Sequence, residues 1–136
     1  MIKLLLIALH TLAFVSHCQP RAQDQELPEN TVNLLFESAR QQNSSGFKNL
    51  CHPDADNDGD VQRICDLNPE SPDYAFTMRC LATGRITGPT RYHREKSKLV
   101  AGVPISFDTR VCRSDRLREE TMDLIQIEER WYLLGF

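Results

Sequence analysis

YAFTMRCLATG, Tyr74–Gly84, is the stretch on which the fold turns. Its apolar residues alternate. Tyr74, Phe76, Met78, Cys80 and Ala82 share one side, and Thr77, Arg79 and Thr83 share the other. Period-two alternation puts successive side chains on opposite faces of a strand. The spacing therefore predicts a strand here, and the residues C-terminal to it predict a sheet. GRITGP, from Gly84, reads as a turn. Residues 91–101 read as a charged strand that Gly102 ends. Residues 103–113 alternate again, with Val103, Ile105, Phe107, Thr109 and Val111 on one side. Pro104 places the start of that strand at an edge or a bulge. TMDLIQIE (121–128) is a further strand, EER a tight turn, and WYLLGF (131–136) the last strand.

Upstream the period changes. In ENTVNLLFESARQQ (29–42), Val32, Leu35, Phe36 and Ala39 fall at i, i+3, i+4 and i+7. That spacing is one apolar stripe of a helix, with Asn30 or Thr31 as its cap. NSSG breaks it, with Gly46 free to turn left-handed. Phe47, Leu50 and Cys51 predict a short second helical turn before Pro53. The order is helix, short helix, acidic loop, then four or five antiparallel strands. An apolar sheet face must be covered, and the first helix is the only long element available. The expected architecture is α+β: an N-terminal helix packed on a curved antiparallel sheet, one domain over residues 29–136.

The chain opens MIKLLLIALHTLAFVSHC. Lys3, the apolar run Leu4–Val15 and the small residues Ser16 and Cys18 read as a secretory signal peptide, residues 1–18, cut before Gln19. It is too short to be a membrane span. Residues 19–28 (QPRAQDQELP) carry no apolar period and read as a flexible tail. The whole chain has five cysteines. Removing Cys18 leaves Cys51, Cys65, Cys80 and Cys112, an even number in an oxidising compartment, so two disulfides are expected. The expected pairs are Cys51–Cys65, closing the acidic loop, and Cys80–Cys112, joining two strands; the spacing leaves the other pairings open. Net charge is −3, with no basic field for nucleic acid. No second apolar run is long enough to span a membrane. A secreted monomer or homodimer is the expectation.

LLFESARQQNSSGFKNLCHPDAD (34–56) resembles the opening of nuclear transport factor 2-like domains, a superfamily that includes the SnoaL-like polyketide cyclases. ETMDLIQIEERWYLLGF (120–136) is similar to that superfamily's last hairpin, where a polar turn precedes a W-x-L strand. The resemblance implies a cone-shaped pocket between helix and sheet. The apolar residues expected to line it are Phe36, Tyr74, Phe76, Met78, Phe107 and Trp131. A cystatin-like cone is the competing plan. Its QxVxG signature is absent, the nearest stretch being KLVAG (98–102). Such pockets serve enzymes, small-molecule binders and protein partners alike.

CHPDADNDGDVQRICD (51–66) carries the main candidate for a cofactor. Asp54, Asp56 and Asp58 occupy the first, third and fifth places of an EF-hand-type calcium loop. Gly59, Asp60 and Val61 follow in order. The twelfth place, where a bidentate Glu belongs, is Cys65, and Asp66 comes one residue late. The stretch reads first as a stapled acidic loop, because Asp and Asn favour turns. Weak calcium binding through Asp54, Asp56, Asp58, Asp60 and Asp66 is the alternative, and no other cofactor is expected. No catalytic residue is assigned. A SnoaL-like enzyme would need an acid or base, for which His52 with Asp54 and His93 with Asp108 are the available pairs. Asn43-Ser44-Ser45 is an N-glycosylation sequon. RYHREKSK (91–98) reads as a guarded strand edge, or as a surface for acidic glycans or a partner. The expected function is non-catalytic binding of a small apolar ligand or a protein outside the cell.

Overall fold

A computed structural model describes residues 25–136. The expected signal peptide and residues 19–24 lie outside the described residues. In chain order the elements are α1 (Pro28–Arg40), a 3₁₀ helix (Ser44–Leu50), α2 (Gly59–Cys65), α3 (Tyr74–Ala82), β1 (Arg85–Ile86), β2 (Arg91–Glu95), β3 (Lys98–Ser106), α4 (Thr109–Cys112), a second 3₁₀ helix (Asp115–Arg118), β4 (Glu120–Ile127) and β5 (Arg130–Gly135). The helices pack against a curled antiparallel sheet, an α+β arrangement.

The stretch Tyr74–Ala82 is a helix, not a strand. The two-residue phase leaves out Leu81, which in a strand would point to the polar side with Arg79 and Thr83. In a helix Leu81 shares a stripe with Met78 and Tyr74. Met78 and Leu81 are each 3% exposed. Met, Arg, Leu and Ala are also good helix formers. Residues 59–65, expected as loop, are helical for a similar reason. Val61, Ile64 and Cys65 are buried at i, i+3 and i+4, and the Asp58 carboxylate accepts the N–H groups of Asp60 and Val61 as an N-cap.

Helix α1 buries the expected stripe, but neither Asn30 nor Thr31 caps it. It starts at Pro28, whose fixed φ suits a first turn. Thr31 is fully buried and donates its hydroxyl to the Trp131 carbonyl at 3.0 Å. Gln42 (φ 54°), not Gly46, takes the left-handed conformation after the helix. The tail also ends earlier than expected. Gln25 is 8% exposed. Its amide donates to the carbonyls of Trp131 at 3.0 Å and Asn49 at 3.2 Å.

The sheet has five strands in the order β1-β3-β4-β5, with β2 also paired to β3. β1 and β2 lie end to end along one side of β3, Arg85 opposite Ser106 and Arg91 opposite Gly102. Gly102 thus lies inside β3 and does not end a strand. The expected strand over 103–113 stops at Ser106, because Asp108 caps α4. Pro104 sits mid-strand, with Thr121 of β4 on one side and the gap between β1 and β2 on the other. Its carbonyl accepts from Thr87 N at 2.9 Å across that gap. N–H and C=O of one residue point the same way in an antiparallel strand. The missing N–H therefore points where no regular ladder runs. Both tight hairpins turn through left-handed pairs, Lys96–Ser97 (φ 46° and 70°) and Glu128–Glu129 (φ 50° and 66°).

On the concave side, Val32, Leu35 and Phe36 of α1 meet Ala101, Val103, Ile105, Met122, Leu124 and Leu133 in one buried cluster. The curl brings Tyr92 of β2 and Trp131 of β5 to a ring separation of 5.8 Å. Cys51 is bonded to Cys65 and Cys80 to Cys112. The second bridge joins two helices, α3 and α4, where two strands were expected. Among the described residues, no helix is long and apolar enough to cross a membrane.

Candidate functional site

The acidic stretch turns its carboxylates to different partners. Asp58 caps α2, and its Oδ2 accepts the Phe136 N–H at 2.9 Å. Asp60 pairs with Arg63 at 2.6 Å and Arg116 at 3.5 Å. Asp66 accepts from the Gln62 amide at 2.8 Å. Asp54 lies beside His52, and Asp56 is exposed. Asn57 Oδ1 is buried without a hydrogen-bond partner, at a place such calcium loops do not use for the ion. Among the described residues, no three His, Cys, Asp or Glu side chains are grouped to hold a metal. Helix α2 begins at Gly59, the sixth place of the expected calcium loop.

The histidines are apart. His52 Nδ1 accepts the Asp54 N–H at 3.1 Å, which leaves Nε2 to carry the proton of the neutral ring. The His52 ring packs on Tyr132 at 4.8 Å. Asp108 does not serve His93. Its carboxylate caps α4 and is bonded to Arg110. The Arg110 side chain, and then the backbone N–H of Arg110, hold that carboxyl below the ordinary aspartate range. His93 instead lies on the convex face of the sheet with Asp123.

The six aromatic and apolar residues expected in a helix–sheet pocket are divided among three places. Phe36 and Trp131, 1% and 3% exposed, belong to the interior. Tyr74 and Met78 face a crevice of about 230 Å³, where the Tyr74 hydroxyl donates to the Gln42 carbonyl at 3.2 Å. Phe76 and Phe107 remain together. With Ile64, Leu81, Leu117 and Phe136 they line an apolar cleft of about 280 Å³ between α2, α3 and the second 3₁₀ helix. Phe107 is held edge-on by Phe36 at 5.6 Å, and the Arg113 guanidinium lies 5.8 Å over Phe76. Arg63 and Arg116 stand at the rim, both tied to Asp60.

A second, larger depression of about 780 Å³ crosses the convex face of the sheet. Arg85, Arg91, His93, Arg118 and Asp123 line it. Sequence reasoning missed Arg85, Arg118 and Asp123. The alternation of TMDLIQIE does put Thr121 and Asp123 on one face, but nothing local shows what stands opposite them. Burial pushes the Asp123 carboxyl above its ordinary range. His93 opposes that rise, while Asp58, Glu95 and Glu120 add to it.

Fold and site together define a disulfide-bonded α+β domain in which one helix fills a curled sheet and an apolar cleft opens beside it. Comparison with family models, with curated proteins and with solved structures found no match.

Proposed function

We propose that this chain is an extracellular, non-catalytic binding protein that holds the apolar part of a small molecule in the cleft between α2, α3 and the second 3₁₀ helix. The observation that carries this reading is the grouping of Phe76, Phe107 and Phe136 around about 280 Å³ of open volume. Apolar pockets with a few polar groups at the rim are the common form of small-molecule sites. The Cys80–Cys112 bridge supports it by tying α3, which carries Phe76, to α4, which follows Phe107 in sequence. A preorganised wall lowers the cost of binding.

Two disulfides, and no membrane-crossing helix among the described residues, support the extracellular setting. Asn43 is exposed, and its Oδ1 accepts the Ser45 hydroxyl at 2.5 Å, which supports glycan attachment there. The helix-first order and the closing β4–β5 hairpin support a nuclear transport factor 2-like plan. Titration with N-phenyl-1-naphthylamine tests the cleft. Saturable fluorescence gain is expected, with loss of most of it in Leu117→Trp, which fills the cleft. An unchanged response in Leu117→Trp, or no response in the parent, sinks the reading.

A further inference from the structure

The convex groove is built on one row of the sheet. Arg91 of β2 stands opposite Gly102 of β3, Gly102 opposite Asp123 of β4, and Asp123 opposite Gly135 of β5. Glycine thus flanks Asp123 on both sides. A Cβ at position 102 would lie 3.0 Å from the Thr121 methyl and 3.3 Å from Asp123 Oδ1. Gly102 therefore puts no side chain of its own between Arg91 and Asp123, which share its row on the sheet. The next row carries Pro104 and Thr121, and Arg85 closes the far end against Ser106.

The charges in this groove are little used within the fold. Among the described residues, no ion pair forms to Arg85, Arg91, His93 or Asp123. Among the described residues, the Arg85 guanidinium donates only to the Ser106 hydroxyl, at 2.9 Å, and Arg118 reaches Asp115 at 3.8 Å. These arginines come from β1, β2 and the second 3₁₀ helix, in a chain whose net charge is −3.

We propose that this groove is a second binding site, for an acidic saccharide. Guanidinium groups take carboxylate or sulfate in paired, charge-assisted hydrogen bonds, and Arg85, Arg91 and Arg118 offer them along one face. Asp123 and Thr121 take sugar hydroxyls. The Pro104 ring gives the C–H face of a pyranose a flat apolar plate. A bare polyanion such as nucleic acid fits less well, because Asp123, Glu119 and Glu120 line the same groove. A sugar acid offers its anionic group to the arginines and its neutral hydroxyls as donors to the carboxylates, and a volume of about 780 Å³ holds more than one ring.

Calorimetric titration of the full chain tests this, with a hyaluronan tetrasaccharide, a heparin-derived tetrasaccharide and neutral maltotetraose. About 150 mM salt limits long-range attraction, the Debye length being ~8 Å. Binding of at least one acidic sugar and none of maltotetraose is expected; the two acidic arms separate carboxylate from sulfate recognition. Arg91→Ala and Arg85→Ala should each weaken binding about tenfold, and Lys48→Ala, outside the groove, should leave it unchanged. No binding of either acidic sugar, equal binding of maltotetraose, or equal losses in Lys48→Ala and Arg91→Ala overturns the proposal. Naphthylamine binding in the apolar cleft should persist in Arg91→Ala, which keeps the two sites' tests separate.

Discussion

Asp58 Oδ2 accepts the backbone N–H of Phe136 at 2.9 Å, across 78 residues of sequence. The other carboxylate oxygen of Asp58 accepts the N–H groups of Asp60 and Val61. One side chain therefore starts α2 and clasps the end of β5. Asp58→Ala removes all three acceptor contacts and is expected to cost about 2 kcal/mol, the upper range for an N-cap. Urea unfolding measures it. A loss below ~0.5 kcal/mol would show that water replaces the carboxylate at no cost.

Calcium is expected to leave the protein unmoved. Asp58 and Asp60 already serve backbone and arginine partners, and binding that stabilises must favour the folded state by mass action. Thermal unfolding in about 5 mM calcium should match that in chelator within ~1 °C. A rise of several degrees, lost in Asp54→Asn, would restore the calcium loop.

Gly84 ends α3 against the Phe36 ring. A Cβ built there falls 2.3 Å from Phe36 Cε1, and the Gly84 carbonyl accepts from Arg40 at 2.7 Å. Gly84→Ala must push a fully packed ring, so a loss of about 1–3 kcal/mol is expected. Gly59→Ala makes the comparison, since no atom lies within 4 Å of a Cβ there. Equal stability of the two variants would contradict the close approach.

The β4–β5 turn holds Glu128 and Glu129 at φ 50° and 66°. Such turns favour Asn-Gly, because left-handed backbone costs an ordinary residue roughly 1 kcal/mol. Glu128→Asn with Glu129→Gly should therefore raise stability by about 1 kcal/mol. Guanidinium unfolding checks this, and a destabilised double variant would refute the turn geometry.

Burial raises the Asp123 carboxyl in the folded protein above its ordinary value. The fold then prefers the protonated form. That contribution is complete below the unfolded pKa and is lost as pH rises through the raised folded value. Near neutrality the ionised carboxylate is a small burden, softened by its partial exposure. Asp123→Asn should raise Tm by about 1–3 °C at pH 7, with the gain vanishing in acid. A gain that persists at low pH would point to a cause other than ionisation.

Much of this fold was legible along the chain. The α1 stripe of Val32, Leu35, Phe36 and Ala39, and the β4–β5 hairpin with its EER turn, are local patterns. Their signals lie within a few turns or one hairpin, so neighbouring residues suffice to read them. The even set of cysteines after Cys18 likewise predicts two bridges, and the pairs are Cys51–Cys65 and Cys80–Cys112.

Tyr74–Ala82 was misread, because its large apolar residues other than Leu81 also fit period two. Packing beside α1, which buries Met78 and Leu81 together, decided for the helix. The partners of the aspartates were not legible for a related reason. Asp58 looks like a ligand among acidic neighbours, and only the arrival of Phe136 from the far end of the chain shows it as a clasp. Phe76 and Phe107 come together with Phe136, and Arg91 faces Asp123 over Gly102, through contacts between residues distant in sequence. Sequence by itself determined the elements whose periodicity is unambiguous and the parity of the cysteines. The tertiary structure alone decided the cleft, the groove and the use of each carboxylate, because those depend on strand register and sheet curl, which no local pattern encodes.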